Sequence, residues 1–136
     1  MEDCIFCKVV EGKIPCAKIY EDEKVISFLD ISPNNKGHCL VVPKRHSANL
    51  LDMEEEDFEA AVKAARKVAL SVSKSLNSGF NLIMNNGKEA GQVVFHAHIH
   101  IIPRFENDGI RFETRHLKYE GNEVREYSDK IRQHLD

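Results

Sequence analysis

The chain has 136 residues, of which 42% are hydrophobic and 30% charged, and its formal net charge is −3. This is the size of one ordinary domain, with enough apolar material for a real core. No apolar stretch approaches the ~20 residues of a membrane helix, and the charge lacks the basic density of a long nucleic-acid footprint. A small nucleotide, which needs only a few local donors, stays open.

The acidic start Met1-Glu2-Asp3-Cys4 contains no apolar signal-peptide core, so the cytoplasm is the expected compartment. Asp3 is placed to cap a short helix over residues 4–10 that ends near Gly12. Residues 18–20 and 24–29 read as two strands around the polar turn Glu21-Asp22-Glu23. The stretch 31–37 is dense in turn formers and reads as a surface loop. A strand over 38–42 follows, closed by Pro43.

The clearest helix comes next. Phe58, Ala61, Val62, Ala65, Val68, Ala69, Val72 and Leu76 recur at steps of three and four. Glu54, Glu55, Glu56 and Asp57 fall in its first turns, where the helix dipole favours negative charge. Gly79 is the expected stop. A strand over 80–84, a loop over 85–91 and a strand over 93–102 closed by Pro103 complete the core. A second amphipathic helix is expected over 123–135. No internal repeat or linker interrupts the chain. The reading is one α+β domain over 1–136, with a core over 3–105 and a tail over 106–136. Its antiparallel sheet is covered by one long helix.

Chemistry concentrates in two places. Cys4 and Cys7 form a Cys-x-x-Cys, which in a cytosolic chain reads as metal-binding or redox-active rather than as a disulfide. Cys16 and Cys39 read as packing residues. Further on stands His96-Ala97-His98-Ile99-His100. Along a strand these three histidines share a face, about 6–7 Å apart, while Ala97, Ile99 and Ile101 face a core. Imidazoles in such a row need polar partners if buried. They suit either a metal site or nucleophilic attack on phosphorus, because much imidazole is unprotonated near neutral pH. Asn85-Asn86-Gly87 and Gly91-Gln92-Val93 flank a loop whose N–H groups could form an anion nest.

The run from Gly91 to Arg104 resembles the signature of the histidine triad (HIT) family, His-φ-His-φ-His-φ-φ with φ hydrophobic. Three further blocks match in order: Cys4-Ile5-Phe6-Cys7-Lys8, Phe28-Leu29-Asp30-Ile31-Ser32-Pro33 and His38-Cys39-Leu40-Val41-Val42-Pro43-Lys44-Arg45-His46. The resemblance implies a HIT-like fold and a nucleotide hydrolase or nucleotidyl transferase acting at the α-phosphate, on purine nucleoside phosphoramidates. His98 would be the nucleophile of a covalent nucleotidyl-histidine intermediate. His100 and Asn85 would bind phosphate oxygens, with Gln92 and Val93 in the phosphate loop and His38 in support. Asp30 would accept the ribose hydroxyls. Ile5, Phe6, Val9, Phe28, Ile31 and Leu40 would form the base pocket. Val93 stands where many relatives carry Ser or Thr, and it offers only its backbone N–H.

His46 and His96 are the candidates to complete a Cys₂His₂ zinc site with Cys4 and Cys7, a closed tetrahedral structural arrangement. Zinc-bearing members of the family look like this, which would leave His96 on metal while His98 attacks. The resemblance also implies a homodimer, with the long helix or nearby sheet at the interface. Alternatives are a dinucleoside polyphosphate hydrolase and a nucleotide-binding module with little turnover.

Overall fold

A computed structural model describes residues 3–136. Met1 and Glu2, part of the acidic start, lie outside the described residues. The elements run α1 (Ile5–Val10), β1 (Lys18–Glu21), β2 (Val25–Leu29), β3 (Cys39–Pro43), α2 (Glu55–Leu76), β4 (Gly79–Ile83), β5 (Ile99–Arg104) and α3 (Glu123–Arg132). The strands form one antiparallel sheet in the order β1-β2-β3-β5-β4. This is the expected α+β architecture, with the long α2 on one face and the short α1 on the other. No helix among the described residues is long and apolar enough to cross a membrane.

The period of two along each strand divides the core into two layers. Val25, Cys39, Val41, Ile99 and Ile101 face α2 and pack on Ala61, Ala64, Ala65, Val68, Ala69 and Val72. The small alanines let the helix lie close to the sheet. Ile26, Phe28, Leu40 and Val42 point the other way, against Phe6 and Val9 of α1. Because both faces are covered, β2 and β3 read as nearly continuous apolar runs. On β5 the second face carries His100 beside the buried Ile102.

Several boundaries differ from the sequence reading. The strand expected over 93–102 begins only at Ile99. His96 and Ala97 make single bonds to the end of β3 and to the connection after it instead of a ladder. The Ala97 N–H donates to Ser47 O at 2.8 Å, and His96 Nε2 donates to Pro43 O at 2.7 Å. Pro103 lies inside β5, where the β3 ladder has already ended at Cys39↔Ile101. Its carbonyl accepts from Asn35 Nδ2 at 2.8 Å.

The long helix ends at Asn77, in the left-handed conformation at φ 51°, and Gly79 instead opens β4. Asparagine tolerates that conformation better than most side chains. The first helix is capped by Cys4, whose Sγ accepts the Cys7 N–H at 3.3 Å, rather than by Asp3. The tail helix is three residues shorter than expected and has no buried residue.

Candidate functional site

Two groups of histidines lie on either side of Phe6, whose ring meets His96 at 6.0 Å and His98 at 5.1 Å, both edge-on. In the first group, Cys4 and Cys7 come from the start of α1, His46 from the connection after β3 and His96 from the approach to β5. The ligand atoms face one another. Cys4 Sγ lies 3.3 Å and Cys7 Sγ 3.5 Å from His96 Nδ1, Cys7 Sγ lies 3.4 Å from His46 Nδ1, and the two Nδ1 atoms are 3.2 Å apart. All four lie within 4.8 Å of one another. A tetrahedral zinc with ordinary Zn–S and Zn–N lengths sets such edges at about 3.3–3.8 Å. The Pro43 carbonyl can only accept, so His96 carries its proton on Nε2 and presents a bare Nδ1 to the cluster. The donor set therefore fits a metal of this kind.

The second group lines a cleft of 680 Å³ between α1, the loop after β2 and the β4–β5 connection. Hydrogen bonds set the tautomers here. His98 Nδ1 lies 2.6 Å from the His96 carbonyl and must donate to it, which leaves the His98 Nε2 lone pair free. The Asn34 N–H donates to His38 Nδ1 at 3.1 Å, so the His38 proton is on Nε2. That Nε2 lies 2.9 Å from His100 Nδ1 and donates to it. His100 consequently carries its own proton on Nε2. The rings of His98 and His100 are 4.9 Å apart. The pair is a bare nitrogen beside an N–H donor, suited to bind and attack a phosphoryl group.

Asp30 enters the cleft from the end of β2. Its Oδ1 accepts the Ser32 N–H at 2.8 Å, and Oδ2 lies 3.7 Å from His38 Nε2. Asn85, Val93, Ile5, Phe6, Val9, Phe28, Ile31 and Leu40 line the same cleft, as the sequence reading grouped them. Ile31 stands on the rim, 96% exposed. Gln92 does not line the cleft. It is buried, and both ends of its amide are committed: Oε1 accepts the Gly87 N–H, and Nε2 donates to the Ala48 and Val94 carbonyls. The expected anion nest is likewise closed on itself, because the N–H groups of Gly87, Ala90, Gly91 and Gln92 donate within the loop.

Sequence reasoning missed Ile14, Pro15 and Cys16 in the cleft wall. They sit on irregular chain with no periodicity to mark them. It also missed Asn34, whose contribution is a backbone N–H that any residue but proline could supply.

Burial disfavours the charged form of His38, His96, His98 and His100. It pushes His38, His96 and His98 below the ordinary histidine value, with Asp30 opposing the shift at His38 and His98. His100 is lowered to about 4, by burial first and then by His98 and His38. Burial also raises the Cys39 thiol to about 11, in keeping with a packing role.

The HIT domain family model matches residues 11–107. The adenosine 5'-monophosphoramidase hnt1 of Schizosaccharomyces pombe is 42% identical over 101 residues, 74% of each chain. A solved protein of Streptococcus mutans UA159 superposes with a TM-score of 0.95 at 39% identity, covering 100% of this chain and 87% of that one. A zinc-bound histidine triad family protein from Mycobacterium smegmatis superposes with a TM-score of 0.77 at 32% identity, covering 98% and 99%.

The neutral state of His100 makes stability depend on pH. An unfolded histidine titrates near 6.5, and folded His100 near 4. Between these values the unfolded chain binds the extra proton. The contribution of His100 is therefore fully present above pH ~6.5 and is lost as pH falls towards ~4. Urea midpoints measured from pH 7 to 4 should fall more steeply for wild type than for His100→Gln; parallel curves would overturn the assignment.

Proposed function

Because this chain belongs to the HIT domain family, we propose that it is a nucleotide hydrolase that cleaves nucleoside phosphoramidates through a covalent nucleotidyl-histidine. The observation that carries the reading is the tautomer of His98: its Nδ1 proton is held by the His96 carbonyl, and its Nε2 lone pair is free in the cleft. The name of the Schizosaccharomyces pombe relative supports the phosphoramidate as substrate.

In the first step His98 Nε2 forms a bond to the α-phosphorus. The phosphorus–nitrogen bond breaks, and the amine departs with the bonding pair and takes up a proton. In the second step water adds its oxygen to phosphorus and loses a proton. The imidazole leaves with its pair restored, and nucleoside monophosphate is released. His100 Nε2–H donates to a phosphate oxygen as charge develops there, with Asn85 as a second donor. Asp30 accepts the ribose hydroxyls. Ile5, Phe6, Phe28 and Ile31 hold the base, and exposed Ile31 gains cover when it does so. Val93 at the mouth contributes its backbone N–H, and Gln92 shapes the phosphate loop from behind.

Cys4, Cys7, His46 and His96 hold a structural zinc. Bound by these four side chains, the ion would cross-link α1, the β3–α2 connection and the approach to β5, a structural role apart from the cleft. The chain pairs with a second copy through the β4 edge and α2. Phe80 and Leu82 on the edge strand, and Phe58 and Val62 on the helix, are large apolar residues left 40–50% exposed.

Three measurements test these readings. Wild type should hydrolyse an adenosine phosphoramidate faster than a dinucleoside polyphosphate, and His98→Ala should lose at least about 1,000-fold in turnover. Equal turnover in the two proteins would sink the nucleophile, and an inert wild type would favour a binding module. Purified wild type should carry about one zinc per chain, and Cys4→Ser should lose it and melt at lower temperature; unchanged zinc content would remove the proposed site. Light scattering at micromolar concentration should give the mass of two chains, and a monomer mass would count against the pairing.

A further inference from the structure

Asp108 lies outside the cleft and one residue beyond the span matched by the family model. It is an acidic side chain only 7% exposed. Asn107, at φ 59°, turns the chain so that Asp108 folds back towards β5. There its carboxylate accepts five hydrogen bonds. Four come from its own segment: Arg104 Nε at 2.8 Å, Arg104 Nη2 at 3.0 Å, and the Phe105 and Ile110 N–H groups at 3.0 Å each. The fifth comes from across the sheet, from Asn35 Nδ2 at 3.1 Å.

Asn35 stands in the loop that carries the cleft from Asp30 to His38. One amide hydrogen goes to the Pro103 carbonyl and the other to Asp108, so the two acceptors hold the amide plane. The Asn35 carbonyl accepts the His38 N–H at 3.0 Å. Its neighbour Asn34 donates the backbone N–H that places the His38 proton on Nε2. His38 then donates to His100 Nδ1. An unbroken chain of bonds thus joins the carboxylate to the ring that presents the N–H donor.

We propose that Asp108 is a positioning residue: by orienting Asn35 it holds the loop in the one conformation that locks His38 and His100 as Nε2–H tautomers. The chemical reason is the choice open to neutral imidazole. Without the Asn34 N–H at His38 Nδ1, the His38 proton is free to sit on either nitrogen. His100 then loses its fixed donor and spends part of its time with a bare Nε2, which repels a phosphate oxygen. The effect on catalysis rests on the hydrolase reading above; the effect on the tautomers does not.

The test compares wild type, Asp108→Asn and Asn35→Ala as full-length ¹⁵N-labelled chains at neutral pH, by imidazole ¹⁵N–¹H correlation spectra. Wild type should show His38 and His100 each as a single Nε2–H tautomer. In both variants these two signals should move towards the average of two tautomers, while His98, held by the His96 carbonyl, keeps its Nδ1–H signature. Unchanged His38 and His100 signals in either variant would overturn the proposal. Asn35→Ala leaves the other four bonds to Asp108 in place, so it carries the test if Asp108→Asn fails to fold. On the phosphoramidate, kcat should fall about tenfold in both variants with little change in KM, because the donor is needed most as charge develops. A change confined to KM would overturn the route through His100. A wild type without turnover would overturn the hydrolase reading and leave the tautomer spectra as the test of Asp108.

Discussion

The arrangement of this protein depends on what His96 does with its two polar ends. Its ring spans from the Pro43 carbonyl to the cluster formed with Cys4, Cys7 and His46, and it is fully buried. Its backbone carbonyl, meanwhile, takes the Nδ1 proton of His98. One residue therefore ties α1 and the β3–α2 connection to the approach of β5 and sets the tautomer of the neighbouring imidazole. A chain in regular strand geometry here would direct the His96 carbonyl into a ladder. The irregular path over 93–98 is what frees it.

The sheet makes this arrangement affordable in physical terms. Ile99 and Ile101 anchor β5 against the alanine face of α2, so the register of His98 and His100 on the opposite face is fixed by burial of their neighbours. A slip of one residue would put both imidazoles into the apolar layer and both isoleucines into the cleft. Position is thus set by the hydrophobic effect, and protonation by a few hydrogen bonds from backbone groups.

Burial and hydrogen bonding act together on the histidines. Removing His38, His96, His98 and His100 from water disfavours their charged form, and a neutral imidazole has one donor and one acceptor. The partners then decide which is which. A carbonyl partner makes His98 bare at Nε2, while a backbone N–H, acting through His38, makes His100 a donor at Nε2. Two chemically identical side chains two residues apart acquire opposite character. The C-terminal segment takes part in this: Asp108 anchors it to β5 and meets Asn35 of the cleft loop.

Much of this was legible in the sequence. The steps of three and four from Phe58 to Leu76 gave α2, and alternation gave the two sides of β5, because burial of one face sets each period, although Phe58, Val62 and Leu76 of that set stay about 40% exposed. The Cys-x-x-Cys and the run of histidines named the candidate side chains, and the family resemblance grouped Asp30, Asn85 and an apolar wall that the structure places along one cleft. Other features were not legible. Gln92 turned inward and the 85–91 loop closed on itself because their polar groups found partners within the chain, which no local pattern reports. The cap of α1 fell on Cys4, the stop of α2 on Asn77 and the start of β5 on Ile99, since boundaries follow competition between neighbouring bonds. Sequence by itself determined which side chains could do chemistry and which faces of the strands and of α2 pack into the core. Only the tertiary structure decided where the protons of His38, His96, His98 and His100 sit, because a tautomer is chosen by partners that come from far along the chain or from its backbone.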